Sequence, residues 1–332
     1  MGLSFARRLP IHPIRRFSIP PRAVGQVIET LQASKVRGSF WTRRREAALG
    51  LLMALPPFLV LILLIVYPAI EAFAFSLGRV PTDNAAFSTG MHLIVSPNPT
   101  LEVYRRLFAS PFFQADLAVT FTVTLLSVVF VLVISYILAL YVRFGAGALV
   151  AVVRSLYLIP MFVPVVIASY ALITFYVDHG LLQSLLSHFG IRYASPIYQT
   201  MGIVIGEVWT NIPFAVLLLG SGLDGLPQEM IEAAQDAGAG FFSVLVRIVV
   251  PLNLVPAMIV LTFTFIGVLG SFTIPYLIGP NAPQMLGVAM QSYFISYQQP
   301  QPAVAMAVIT FLLAAIAGVV YVWSTARSGK AV

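Results

Sequence analysis

Long apolar runs separated by short polar connections organise the chain from Ala47 onward, at 47–77, 117–142, 152–177, 201–220, 252–277 and 303–323. A helix needs about 20 apolar residues to cross a hydrocarbon core roughly 30 Å thick, and it satisfies its own backbone where water is absent. The pattern therefore predicts an all-α integral membrane protein with six transmembrane helices. Pro160 and Pro164 interrupt the third run. Proline removes a backbone donor and bends a helix, so a bent third span is expected.

The connections carry their own patterns. In LEVYRRLF, residues 101–108, Leu101, Tyr104, Leu107 and Phe108 recur at helical spacing and predict a short interfacial helix. LLQSLLSHFG, residues 181–190, predicts a second one stopping at Gly190. The connection 278–302 has no charged residue, and is expected to re-enter the membrane face or to pack on a partner.

Composition reinforces the membrane assignment. Hydrophobic residues make up 59% of the chain, charged residues only 9%, and mean hydropathy is +0.93; soluble domains are roughly 45–50% apolar. The net charge of +7 comes mostly from the tail before the first span. A topology signal or contact with anionic lipid accounts for that better than nucleic acid does. Arg43, Arg44 and Arg45 precede the first span, and Arg143, Arg154, Arg247, Arg327 and Lys330 fall on the same side of alternate connections. Arg79, Arg105, Arg106 and Arg192 fall on the other. Cytoplasmic flanks are enriched in such residues, so both termini are expected in the cytoplasm. A basic tail at 1–46, a six-helix domain at 47–324 and a short tail at 325–332 follow. A cleaved leader is not expected, because the first apolar run starts late and is too long for one.

Against this background, PQEMIEAAQDAGAGFFSVLVRIVVP, residues 227–251, stands out for its acids. Helical geometry puts Glu229, Glu232 and Asp236 on one face. Pro227 suits a first turn, and Gly238 and Gly240 suit the stop. A short acidic helix on the cytoplasmic side is predicted, with no basic residue in the stretch before Arg247.

Chemistry of the catalytic kind finds no foothold. His12, His92, His179 and His188 are scattered without metal-ligand spacing, cysteine is absent, and no GxxxxGK[ST] phosphate cradle occurs. Neither catalytic residues nor a metal site is expected.

The acidic stretch resembles the cytoplasmic signature of permease subunits of bacterial binding-protein-dependent ABC importers: EAA, three residues, G, nine residues, then I-x-L-P. Glu232, Ala233, Ala234, Gly238, Ile248 and Pro251 match in register, while Val250 stands where Leu is usual. LEVYRRLF, LIPMFVP (158–164) and EVWTNIPFAVLLL (207–219) are also similar to the family's text, so the resemblance covers about 47–323. It implies a type I importer permease fold whose loop 224–250 carries a coupling helix docking on an ATPase. Glu232 would be the docking acid, Ala233 and Ala234 the close contacts and Gly238 the turn; Glu229 and Asp236 join them on physical grounds. The implied partners are two ATP-binding subunits holding ATP and Mg, a second permease subunit, paralogous or identical, and an external solute-binding protein. The implied location is the bacterial inner membrane, with membrane lipid around the spans.

Cargo is less plainly written. GSFTIPYLIGPNAPQMLG from Gly270 is similar to permeases for polyamines, opine-like compounds and ferric iron, yet Ser271 stands where an acid is frequent, which weakens a cationic substrate. GEVWTNIPF (206–214) is equally similar to sugar and glycerol phosphate permeases. Glu207, Trp209, Asn211, Ser271, Thr273 and Tyr276 are the candidate solute contacts, supplying aromatic faces and hydrogen-bonding groups. The alternative function is an ion-coupled secondary transporter, for which the buried acid would be Glu207.

Overall fold

A computed structural model describes residues 40–80 and 93–328, with side chains at 49–80 and 93–326. Residues 1–39 of the basic tail, and Lys330, lie outside the described residues. The chain divides into two compact units at Pro68. In the first, α1 (Phe40–Leu61) leads into a π-helical turn at Ile62–Val66.

The second unit starts within α2 (Tyr67–Ser76) and continues through α3 (Glu102–Ala109), α4 (Pro111–Phe144), α5 (Ala148–Leu156), α6 (Ile159–Phe162), α7 (Val165–Tyr176) and α8 (Leu181–Ser187). It goes on with α9 (Thr200–Asp224), α10 (Gln228–Asp236), α11 (Phe241–Val244), α12 (Val250–Leu252) and α13 (Leu254–Leu269). The last helices are α14 (Thr273–Ile278), α15 (Leu286–Gln291) and α16 (Pro300–Ser328). Among the described residues, five stretches are long and apolar enough to cross a membrane: Leu49–Ser76, Pro111–Phe144, Val165–Ser187, Thr200–Asp224 and Pro300–Ala326. Phe241–Leu252 and Leu254–Leu269, bent by 66°, supply a sixth.

Two spans differ from their expected bounds. The third run, expected at 152–177, is cut into α5, α6 and α7, and its membrane-length stretch starts only at Val165. Pro164 caps α7 with an extended backbone, which restarts the helix rather than bending it. The fifth, expected at 252–277, ends at Leu269; Gly270–Phe272 are non-helical before α14. Proline also accounts for two π turns. Ile62–Val66 and Leu245–Val249 each lie just before a proline, Pro68 and Pro251. Proline offers no N–H to the carbonyl four residues earlier, and a widened turn accommodates the orphan.

α4, α9 and α13 pack together as the heart of the unit. Apolar burial drives little association where the surrounding solvent is lipid, so close helix approach has to supply it. The inward face of α4 accordingly carries small residues: Thr120, Val123, Thr124, Ser127, Val131, Ser135 and Ala139 are buried, while Leu125, Val129, Val133 and Ile137 face outward. A smaller core at the other end joins Val103 and Leu107 of α3, Phe113 of α4, Leu286 and Ala289 of α15, and Ala305 and Met306 of α16. The α3 helix forms as expected, but Val103 and Leu107 face the core while Leu101 and Phe108 are exposed. Its first-turn Glu102 pairs with Arg106 at 2.9 Å and Arg105 at 2.8 Å. Arg106 first, then Arg105, holds that carboxyl below its usual range.

Candidate functional site

The acidic helix α10 follows from local rules. Pro227 stands one position outside it as the cap, with an extended backbone, rather than inside the first turn. Ile231 is the buried plug that seats the helix on the bundle, and Ala234 is half-buried. Glu229, Glu232, Ala233 and Asp236 are exposed, so the acids share the free face that their spacing implies. At the stop, Gly238 has φ +85° and its N–H donates to the Gln235 carbonyl at 2.8 Å. A side chain at Gly238 would meet empty space. Glycine is needed there for the left-handed backbone alone.

One basic group does reach this face, from far away in sequence. Arg143, in the last turn of α4, lies 3.6 Å from the Asp224 carboxylate and donates from Nε to the Leu223 carbonyl at 3.4 Å. Its Nη2 donates to Gln228 Oε1 at 3.3 Å, and Gln228 Nε2 donates to Glu232 Oε1 at 3.2 Å. Glu232, the acid of the sequence motif, is thus tied to the end of α4 through one amide. The returning stem is pinned as well. Asn253, at the 66° bend, is fully buried and donates to the Leu219 carbonyl at 3.3 Å. A Cβ on Gly222 would collide with the Asn253 amide oxygen, so only glycine allows this approach.

Toward the other end of α9, Glu207 is 3% exposed. The Ser271 side chain lies near its carboxyl, and Oε1 has no hydrogen-bond partner. The structure therefore brings together an acid and a hydroxyl that the sequence separates widely, using the break after α13. Asn211, one turn along α9, spends its amide on the Glu207 backbone carbonyl at 2.8 Å. Trp209 is not part of this group. It lies in an apolar cavity of about 320 Å³ with Phe130, Ile134 and Ile212, because two helical steps turn it to the opposite side from Glu207. Thr273 is half-buried at the start of α14, and Tyr276, half-exposed, stacks on Phe272 with ring centroids 5.2 Å apart.

Sequence reasoning gave no role to Asp116 or Thr120. Asp116 is 8% exposed and accepts the Gln284 N–H at 2.7 Å. The Thr120 hydroxyl accepts the Leu286 N–H at 2.9 Å and donates to the Asp116 carbonyl at 2.7 Å. Together they staple the uncharged connection onto α4. No charge or motif in 278–302 signals where its backbone bonds end.

Residues 109–330 match the family of binding-protein-dependent transport system inner membrane components. The trehalose/maltose transport system permease protein MalF of Thermococcus litoralis is 33% identical over 248 residues, covering 72% of this chain and 79% of that protein. The trehalose transport system permease protein SugA of Mycobacterium tuberculosis is 28% identical over 241 residues, covering 70% and 73%. In fold, the chain is similar to one chain of a bacterial alginate ABC transporter solved in complex with an alginate pentasaccharide-bound periplasmic protein. The TM-score is 0.68 at 17% identity, over 85% of this chain and 95% of that one. The chain belongs to the inner membrane component family of binding-protein-dependent transport systems: it is a multi-pass permease subunit of an ABC importer, not an enzyme, and its place is the inner membrane.

Proposed function

We propose that this permease lines the path of a sugar or a comparable small polyhydroxylated solute and takes up the work of ATP hydrolysis through α10. The observation that carries the coupling half is the exposed acidic face of α10, held to α4 by the Arg143–Gln228–Glu232 chain. Glu229, Glu232 and Asp236 present the charge, Ala233 and Ala234 allow close approach, and Gly238 returns the chain. The groove that receives them belongs to ATP-binding subunits, which hold ATP and Mg. Two of these, a second permease subunit and an external solute-binding protein complete the assembly, with both termini of this chain in the cytoplasm.

Motion delivered at α10 reaches the cargo through α9. From Asp224 to Glu207 this helix runs about 25 Å at 1.5 Å per residue, long enough to join the dock to the membrane interior. Glu207 and Ser271 form the solute-facing pair, and the unpartnered carboxyl oxygen is an acceptor for a sugar hydroxyl. The names of the relatives favour sugars over polyamines and opine-like solutes, as does serine rather than an acid at 271. The ion-coupled alternative gives way to the family's ATP-driven mode.

The test is Glu232→Lys in the complete transporter. Insertion and yield should stay as in the wild type, while ATPase copurification and ATP-driven uptake of labelled trehalose fall at least tenfold. Unchanged uptake with unchanged copurification overturns the coupling claim, and uptake of spermidine in place of trehalose overturns the sugar claim.

A further inference from the structure

A cavity of about 540 Å³ opens between the start of α4 and the uncharged connection, and the reading above does not use it. Its volume falls within the roughly 300–1,000 Å³ of small-molecule sites. It lies at the end of α4 away from Arg143 and α10, which the proposed orientation makes the external end; the inference rests on that reading for its direction and for its choice of sugar.

Its lining is built rather than incidental. Asp116 is more than nine-tenths buried and faces the cavity with one oxygen, Oδ1, already fixed by the Gln284 N–H at 2.7 Å. Ser292 donates to Gln284 Oε1 at 3.2 Å, which orients that amide. Tyr293 and Tyr297 stand edge to face, with centroids 5.3 Å apart and planes at 89°. Gln299 adds a further amide, and no Lys or Arg is among the lining residues.

Each part excludes a class of ligand. A carboxylate without a basic neighbour disfavours anions. A polycation would call for several acids, and here one carboxylate stands among neutral amides and hydroxyls, half of it engaged by the backbone. The paired tyrosines on the wall suit the C–H face of a pyranose, and a carboxylate oxygen beside amides suits vicinal hydroxyls, which both donate and accept. We propose that this cavity is an external subsite for a neutral polyhydroxylated solute of mono- or disaccharide size, separate from the Glu207–Ser271 pair and occupied before the solute enters the spans.

Binding is measured on the assembled transporter in nanodiscs, without ATP and without the external binding protein. Maltose is the probe in saturation-transfer-difference NMR, and spermidine serves in a parallel arm. The wild type should transfer saturation to the maltose ring protons. Tyr297→Ala, at a side chain 60% exposed and so of little weight in folding, should weaken the signal at least fivefold, whereas Tyr297→Phe should retain most of it. Asp116→Asn keeps an acceptor for the Gln284 N–H and should weaken the signal severalfold. Equal maltose signals in the wild type, Tyr297→Ala and Asp116→Asn overturn the proposal. So does spermidine binding in place of maltose. Because no step uses ATP, a failed coupling claim leaves this outcome untouched: Glu232→Lys should bind maltose here as the wild type does.

Discussion

The connection around α10 and the connection around α15 sit at opposite ends of the same bundle and solve opposite problems. The first carries its polar groups as charges on an exposed face, anchored by the single buried plug Ile231. The second has no charge and turns its helix inward: Met285, Leu286, Val288 and Ala289 are all buried, and Asp116 and Thr120 accept the Gln284 and Leu286 N–H groups. An exposed acidic face keeps its full hydration until a partner replaces the water. A buried neutral segment must complete its hydrogen bonds within the chain, since each unmade one costs about 1–3 kcal/mol. The first is therefore built to meet something and the second to hold something in shape.

That contrast is sharpest in stability. Phe113 is fully buried beneath the second connection and meets Phe108 edge to face at 5.2 Å. Phe113→Ala should cost about 3–5 kcal/mol. Asp236→Ala on the first connection should change stability by less than about 0.5 kcal/mol. Thermal unfolding of the purified complex measures both, and similar shifts for the two would remove the distinction. The stem of the acidic connection is the place where the contrast should break down. Gly222→Ala drives a methyl into Asn253 and Pro256 and should cost about 1–3 kcal/mol, with Asn253→Ala in the same chain recovering part of it. Additive losses in the double variant would refute that contact. Arg143→Gln should also change stability little, within about 1 kcal/mol because Asp224 is largely exposed. Its consequence should appear instead as a severalfold drop in solute-stimulated ATP hydrolysis.

The same contrast explains what could be read from the residues alone. Hydropathy located the spans because lipid demands long apolar runs, and the acids of 229, 232 and 236 were visible because charge is rare in this chain. The break at Gly270–Phe272 was invisible, since apolarity is the same on either side of it, and the fifth span was drawn too long. Arg143 was counted only as a topology signal; nothing local joins it to Gln228, a residue far along the chain. Asp116 and Thr120 escaped notice because their partners are backbone N–H groups, which every residue but proline possesses. Glu207 and Ser271 stand out individually in the sequence, but only the fold shows that they lie near each other and that Trp209 turns away from them.

One last property belongs to α9. It is a continuous helix of 25 residues through Pro213, with the acidic helix α10 following one end and the buried carboxyl toward the other. Each residue advances the helix by about 100°. The two ends therefore keep a fixed angular phase, so on the proposed coupling the number of residues between Glu207 and Asp224, more than their identity, decides which way Glu207 swings when α10 is pushed.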